Sequence, residues 1–177
     1  MEENQPIKIE KDGITFLAAG KYYEGINQWV AHKIKEGDGD AIDYAARQMA
    51  KLLPRNAVLV PIPGHHGIPV QTLRLAKTIS YYTDLPVADV LRGNDRESQY
   101  EAKHRESPLT AQQMGYYKTS TPLPNGCVPF LVDNVVDTGT TAKAAVKAIG
   151  SGTILSYAMS DTLLESIMQN MSDSLRR

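Results

Sequence analysis

The chain has 177 residues, a formal net charge of −1 and 42% hydrophobic residues. This length fits one domain with a substantial core, and the near-neutral charge argues against a nucleic-acid-binding protein. A single cysteine, Cys127, excludes an intramolecular disulfide framework and fits a reducing compartment. Residues 1–11 lack the apolar run of a signal peptide, and no apolar run reaches the about 20 residues of a membrane helix. We therefore expect a cytoplasmic protein without a membrane partner.

The first third of the chain predicts a hairpin followed by two helices. In residues 6–19, apolar side chains alternate with polar ones on either side of Asp12-Gly13, a two-residue turn sequence. A short helix is predicted over 26–34. Apolar residues at helical spacing predict a second helix over 42–53, with Asp40 as its N-cap.

From residue 57 onward, the pattern alternates between strands and helices. Apolar segments predict strands at residues 57–60, 85–91, 128–132 and 153–159. Helical patterns lie between or after them, one with Pro69 in its first turn and others at 142–149 and 163–171. This alternation predicts an α/β fold with a mostly parallel central sheet flanked by helices. We divide the chain into an N-terminal hairpin-and-helix appendage, residues 1–55, packed on a core of residues 56–177.

The charged segment 92–117 does not fit this alternation, because it is longer than most loops of a compact domain. One interpretation is a mobile lid over a binding site, and the other is a solvated excursion of the chain. The same choice applies to Lys103, His104 and Arg105 within it, which are either phosphate contacts or a solvated run of charge.

Residues 133–141 give the strongest functional signal. Asp133 and Asn134 follow an apolar run, and Thr138, Gly139, Thr140 and Thr141 open an Ala-rich helical segment. Backbone N–H groups and hydroxyls at a helix start converge where the helix dipole is positive, which suits a phosphate monoester. Asp133 and Asn134 can accept hydrogen bonds from sugar hydroxyls. The segment therefore predicts a site for a ribose 5-phosphate group; the alternative is a Thr/Gly turn that only caps the helix.

A second loop, Gly64-His65-His66-Gly67, follows the strand predicted at 57–60. In parallel sheets, ligands bind beyond the carboxyl ends of the strands, so this loop and residues 133–141 should open on the same edge. His65 and His66 have no partner ligands at a spacing suited to a metal. We therefore expect the backbone of this loop, and not a bound metal, to contact a ligand.

The run from 130 to 141 resembles the signature of type I phosphoribosyltransferases: an apolar strand, two acidic residues and a Thr-Gly-x-Thr-like loop. Residues 23–25 and 60–63 are similar to the competence protein F-like (ComF-like) branch of that family. The resemblance covers most of residues 20–160. It implies the type I phosphoribosyltransferase fold, with a flexible hood loop over residues 92–117.

The resemblance also implies how phosphoribosyl pyrophosphate would be held. Asp133 and Asn134 would bind the ribose hydroxyls, and residues 138–141 the 5-phosphate. Pyrophosphate would lie on the 64–67 loop, with Mg²⁺ carried by the substrate and Asp133 as a protein group that could reach it. The basic hood residues Lys103 and Arg105 would add positive charge there.

Two positions bear on catalysis and on the acceptor. Asn134 stands where the family usually has a second acid, and an amide contributes no charge toward Mg²⁺. Asp137 occupies a position where relatives acting on 6-oxopurines carry an Asp proposed to handle the N7 proton of the base. Asp137 is therefore either a catalytic group for a purine-like acceptor or a carboxylate that stabilises the loop.

Three functions remain open from the sequence. The first is an enzyme, by analogy a homodimer, that transfers 5-phosphoribosyl from phosphoribosyl pyrophosphate to a nitrogenous base with Mg²⁺. The second is a non-catalytic module that binds phosphoribosyl pyrophosphate or a nucleotide for regulation, as the missing acid at Asn134 suggests. The third, by family analogy alone, is an accessory protein in DNA uptake that acts through protein partners.

Overall fold

The computed structural model describes residues 4–96, 98, 101 and 109–177. The strands are β1 (Ile7–Lys11), β2 (Ile14–Lys21), β3 (Ala57–Pro61), β4 (Leu91–Arg92), β5 (Tyr117–Lys118), β6 (Val128–Val136) and β7 (Thr153–Met159). The helices are α1 (Asn27–Lys35), α2 (Gly39–Ala50), α3 (Gln71–Thr83), α4 (Ala111–Met114), α5 (Thr140–Ile149) and α6 (Asp161–Leu175). No helix within these described ranges has the length and apolar character needed to cross a membrane.

The central sheet has five strands in the order β1-β2-β7-β6-β3. Strands β2, β7, β6 and β3 are parallel, and β1 pairs antiparallel with β2 at the edge. This arrangement confirms the predicted α/β class with a mostly parallel sheet. Because the strands are parallel, the loops that follow β2, β3, β6 and β7 all open on one edge.

The N-terminal hairpin is confirmed, and it extends the central sheet. Asp12 and Gly13 have φ of 52° and 77°, the left-handed pair that a two-residue primed turn requires. Strand β2 then pairs in parallel with β7, so the hairpin forms one side of the main sheet. The division of the chain at residue 55 stays a prediction.

Helices cover both faces of the sheet. Successive residues of a strand point to opposite faces, and on β6 the side chain of Val132 joins the core beneath α1, α2 and α3. Its neighbour Leu131 packs on the other face, with residues of α5 and α6. Burial on both faces explains the uninterrupted apolar run of β3, in which every residue is buried.

Two predicted helix starts differ from the structure. Helix α2 is capped by Asp38, whose Oδ1 accepts a hydrogen bond from the N–H of Ala41 at 2.9 Å, and Asp40 lies inside the first turn. The cap falls earlier because Gly39 continues the helix toward the N-terminus. Helix α3 begins at Gln71 with Val70 as its N-cap, so Pro69 precedes the helix and does not lie in its first turn.

Two predicted strands also differ. Residues 85–90 form a single parallel bridge, between Val87 and Leu59, and Leu91 instead begins β4, which pairs with β5. Pro86 in this stretch has no N–H to extend the ladder. Strand β6 is longer than predicted and runs to Val136, because its backbone pairs with β7 regardless of the polar side chains it carries. Asp133 and Asn134 therefore lie within the strand and not beyond its end.

Candidate functional site

Residues just beyond three of the parallel strands bond to the neighbouring strand at the carboxyl edge of the sheet. The N–H of Tyr22, after β2, donates to the carbonyl of Met159 at 2.8 Å. The N–H of Ser160, after β7, donates to the carbonyl of Val136 at 2.9 Å. On the other side, the N–H of Ile62 donates to the carbonyl of Val132 at 3.0 Å. The loops at 61–67 and 137–141 thus open on the same edge.

The turn before α5 has the geometry of an anion seat. Gly139 is the N-cap of α5 and has φ of 89°, a left-handed conformation that favours glycine. The hydroxyls of Thr138 and Thr140 lie 3.2 Å apart. A helix leaves the N–H groups of its first turn without intrahelical partners, and its dipole makes this end positive. Hydroxyls and backbone donors together make this turn chemically suited to a phosphate.

Asp133 is half-buried on β6, and its surroundings raise the pKa of its carboxyl. Its Oδ1 accepts a hydrogen bond from the backbone N–H of Asn134 at 2.8 Å. Burial raises the pKa of Asp133 to about 6, against the opposing effects of that hydrogen bond and of the charge on Lys35. The carboxyl is therefore ionised at neutral pH and becomes neutral in mildly acidic solution.

Asn134 faces the opposite way, toward helix α1. Its Nδ2 donates to the carbonyl of Ala31 at 2.9 Å, and the residue is only 7% exposed. Since β6 continues through this position, alternation along the strand sends Asn134 and Asp133 to different faces. The Asn134 amide is therefore engaged with α1, and the assignment of Asp133 and Asn134 to the ribose hydroxyls stays a prediction.

Asp137 is anchored to the loop that follows β7. The Ser160 hydroxyl donates to Asp137 Oδ1 at 2.7 Å and also lies 3.2 Å from the Asp137 carbonyl. Burial raises the pKa of Tyr22, and the nearby charges of Tyr23 and Asp137 act in the same direction. The Ser160 contact demonstrates a loop-stabilising role for Asp137, whereas the role of a catalytic base stays a prediction.

The 64–67 loop is packed against residues 93–96. Gly67 has φ of 77°, and a Cβ built there would lie 2.1 Å from the carbonyl oxygen of Gly93, so both conformation and space require glycine. The His65 and His66 rings are 4.0 Å apart, and His66 Nδ1 lies 3.1 Å from Asp95 Oδ1. Both imidazoles are thereby placed at the surface of the loop.

Tyr116 and Arg96 belong to this edge, although the sequence did not single them out. The Tyr116 hydroxyl donates to the carbonyl of Pro63 at 2.9 Å and lies 3.3 Å from Arg96 Nη2. Both residues sit in the segment 92–117, where the sequence drew attention to charge density alone. Their contacts with the 63–67 loop join residues that are far apart in the sequence, so no local sequence pattern predicts these contacts.

The predicted hood contacts Lys103 and Arg105 lie outside the described residues. In the part of the chain that the structure covers, no group of three or more His, Cys, Asp or Glu could hold a metal ion. Mg²⁺ bound with a phosphate substrate takes most of its ligands from that substrate and water, with one or two carboxylates from the protein. Asp133, near the carboxyl end of β6, fits this limited requirement.

Comparisons with known proteins find a likeness in structure and not in sequence. A scan against models of protein families finds no match, and a search of curated proteins finds none either. Among solved structures, the chain is similar to an adenine phosphoribosyltransferase, with a TM-score of 0.44 and 15% sequence identity. The match covers 89% of this chain and 86% of that chain. Such a distant likeness does not determine the reaction, so the residues at the strand ends carry the functional interpretation.

Proposed function

We propose that the protein is a phosphoribosyltransferase, which transfers the 5-phosphoribosyl group of phosphoribosyl pyrophosphate to a nitrogenous acceptor. The observation that carries this proposal is a shared sheet edge. The anion seat at 138–141 follows β6, the glycine-bounded loop at 64–67 follows the adjacent strand β3, and Asp133 lies on β6. The substrate has three parts to be held. Residues 138–141 would bind its 5-phosphate, Asp133 its ribose hydroxyls and the 64–67 loop its pyrophosphate.

Each element of the edge has a distinct task in this reaction. The bond between ribose C1 and pyrophosphate breaks with its electron pair leaving on the pyrophosphate, and the acceptor nitrogen supplies the pair for the new bond. Residues 138–141 and Asp133 orient the ribose, which removes much of the entropic cost of reaction. The 64–67 loop stabilises charge on the departing pyrophosphate. Bound Mg²⁺ supplies further positive charge there.

The acceptor side of the edge contains Asp137 and an aromatic surface. Tyr22 and Tyr23 directly follow β2, and their rings meet edge-to-face at 4.9 Å. Tyr23 is 66% exposed and Trp29, on the adjoining helix α1, is 60% exposed. A planar base could stack on such rings while Asp137 accepts its N–H proton. We therefore propose a purine-like heteroaromatic acceptor.

Binding is tested by calorimetry with phosphoribosyl pyrophosphate and Mg²⁺ on wild type and on Thr138→Ala/Thr141→Ala. The double variant removes two hydroxyls of the anion seat, so micromolar binding by wild type should be lost in it. Thr162→Ala, at an exposed position in the first turn of α6, is the matched control. A folded wild type that binds no phosphoribosyl pyrophosphate would refute the proposal.

Turnover is tested by pyrophosphate release with a panel of bases, purines first. A non-catalytic phosphoribosyl pyrophosphate or nucleotide-binding module is the second candidate, because only Asp133 of the expected acidic pair is an acid and Asn134 faces α1. Tight binding without pyrophosphate release from any base would favour this regulatory module over the transferase.

A further inference from the structure

Residues of segment 92–117 donate hydrogen bonds to three carbonyl groups of the loop that follows β3, residues 63–67. The Tyr116 hydroxyl donates to Pro63, the N–H of Arg96 to His65 at 2.7 Å, and the N–H of Gly93 to Gly67 at 3.0 Å. Carbonyl oxygens would repel a bound anion. Because donors from 93–116 engage these three carbonyls, an anion at the loop would meet less of their negative charge.

Arg96 is tied to the loop at both its backbone and its side chain. Its N–H bonds to His65, and its Nη2 reaches the Tyr116 hydroxyl at 3.3 Å, which in turn holds Pro63. These contacts fix a guanidinium, a permanent cation with a planar set of donors, beside the loop. A charge held in place in this way needs little ordering when a phosphate group arrives.

The Tyr116 hydroxyl stays protonated and can therefore donate its hydrogen bond to Pro63. Burial raises the pKa of Tyr116 to about 12, with the charge of Arg96 opposing this shift and that of Asp133 adding to it. The hydroxyl therefore keeps its proton over the whole neutral range.

We infer that Arg96 binds the pyrophosphate group of the substrate and that Tyr116 is the positioning residue that holds its guanidinium against the 63–67 loop. This inference rests on the proposed function for its substrate. As the bond to ribose C1 breaks, the guanidinium stabilises the negative charge gained by the pyrophosphate oxygen.

The test is calorimetry with three separate probes: magnesium pyrophosphate, phosphoribosyl pyrophosphate and ribose 5-phosphate. Arg96→Met should weaken binding of the first two by at least about tenfold, the low end for loss of a hydrogen bond to a charged group. Ribose 5-phosphate, which lacks pyrophosphate, should bind Arg96→Met as it binds wild type. Arg96→Lys should recover part of the loss, and Tyr116→Phe should show a smaller loss of the same kind.

Arg92→Met is the matched control, because Arg92 lies on the same segment but pairs with Asp89 at 2.7 Å. It should bind all three probes as wild type does. Unchanged pyrophosphate affinity in Arg96→Met, or an equal loss for ribose 5-phosphate, would overturn the inference. If wild type binds pyrophosphate but not ribose 5-phosphate, the transferase proposal fails, and loss of pyrophosphate binding in Arg96→Met still supports the role of Arg96.

Discussion

The Asn134→Asp substitution tests whether the side chain at position 134 faces helix α1. At this position the chain has an amide where type I phosphoribosyltransferases usually have the second of two acids. The Nδ2 of Asn134 donates to the Ala31 carbonyl at 2.9 Å in a buried setting. An ionised carboxylate at this position would turn an acceptor toward that carbonyl and bury a charge without a partner. Breaking a buried interaction in this way costs about 3–5 kcal/mol, so we expect the free energy of unfolding to fall by about that amount at pH 8.

The same substitution should show a characteristic dependence on pH. Burial without a partner raises the pKa of a carboxyl above its unfolded value. The introduced carboxyl, once protonated, could donate to the carbonyl of Ala31, so the loss of stability should shrink as pH falls and grow as pH rises through the folded-state pKa. Urea unfolding of wild type and variant between pH 5 and about 8 measures this difference.

Asn170→Asp provides the matched control, since this position is exposed on α6 and the chemical change is identical. It should alter the free energy of unfolding by less than about 0.5 kcal/mol. A fully stable Asn134→Asp at pH 8 would refute the orientation of this side chain toward α1. Gained transferase activity in that stable variant would return residue 134 to the ribose site.

Three further predictions concern charge, backbone and capping. Burial raises the pKa of Asp133 to about 6, above the ordinary 3.8. Ionisation of this carboxyl should therefore lower the free energy of unfolding as pH rises from about 4 to 6. Asp133→Asn should remove this pH dependence in urea unfolding experiments. Gly67→Ala should lower Tm strongly, because φ is 77° and a Cβ meets a carbonyl oxygen at 2.1 Å, whereas Gly64→Ala has open space. Asp38→Ala should cost about 1 kcal/mol in urea unfolding, and Asp40→Ala clearly less, because Asp38 caps α2.

Local patterns were sufficient where neighbouring residues determine the conformation. The Asp12-Gly13 turn demanded two left-handed residues, and the hairpin formed there. The apolar run of β3 reflected burial on both faces of a parallel sheet. Gly139 and the flanking threonines marked the start of α5, because the cap and the first turn of a helix are built from adjacent residues.

Tertiary structure decided which way the site residues face and which distant groups join them. The sequence placed Asp133 and Asn134 together as an acidic-type pair, but β6 pairs with β7 through this stretch and so sends them to opposite faces. Arg96 and Tyr116 reach the 63–67 loop only because the chain returns to it after a long excursion. The sequence by itself therefore determined the α/β class and the Gly/Thr turn that begins α5, because both depend on local sequence. Strand pairing and long-range hydrogen bonds, which no local pattern encodes, determined the composition of the site.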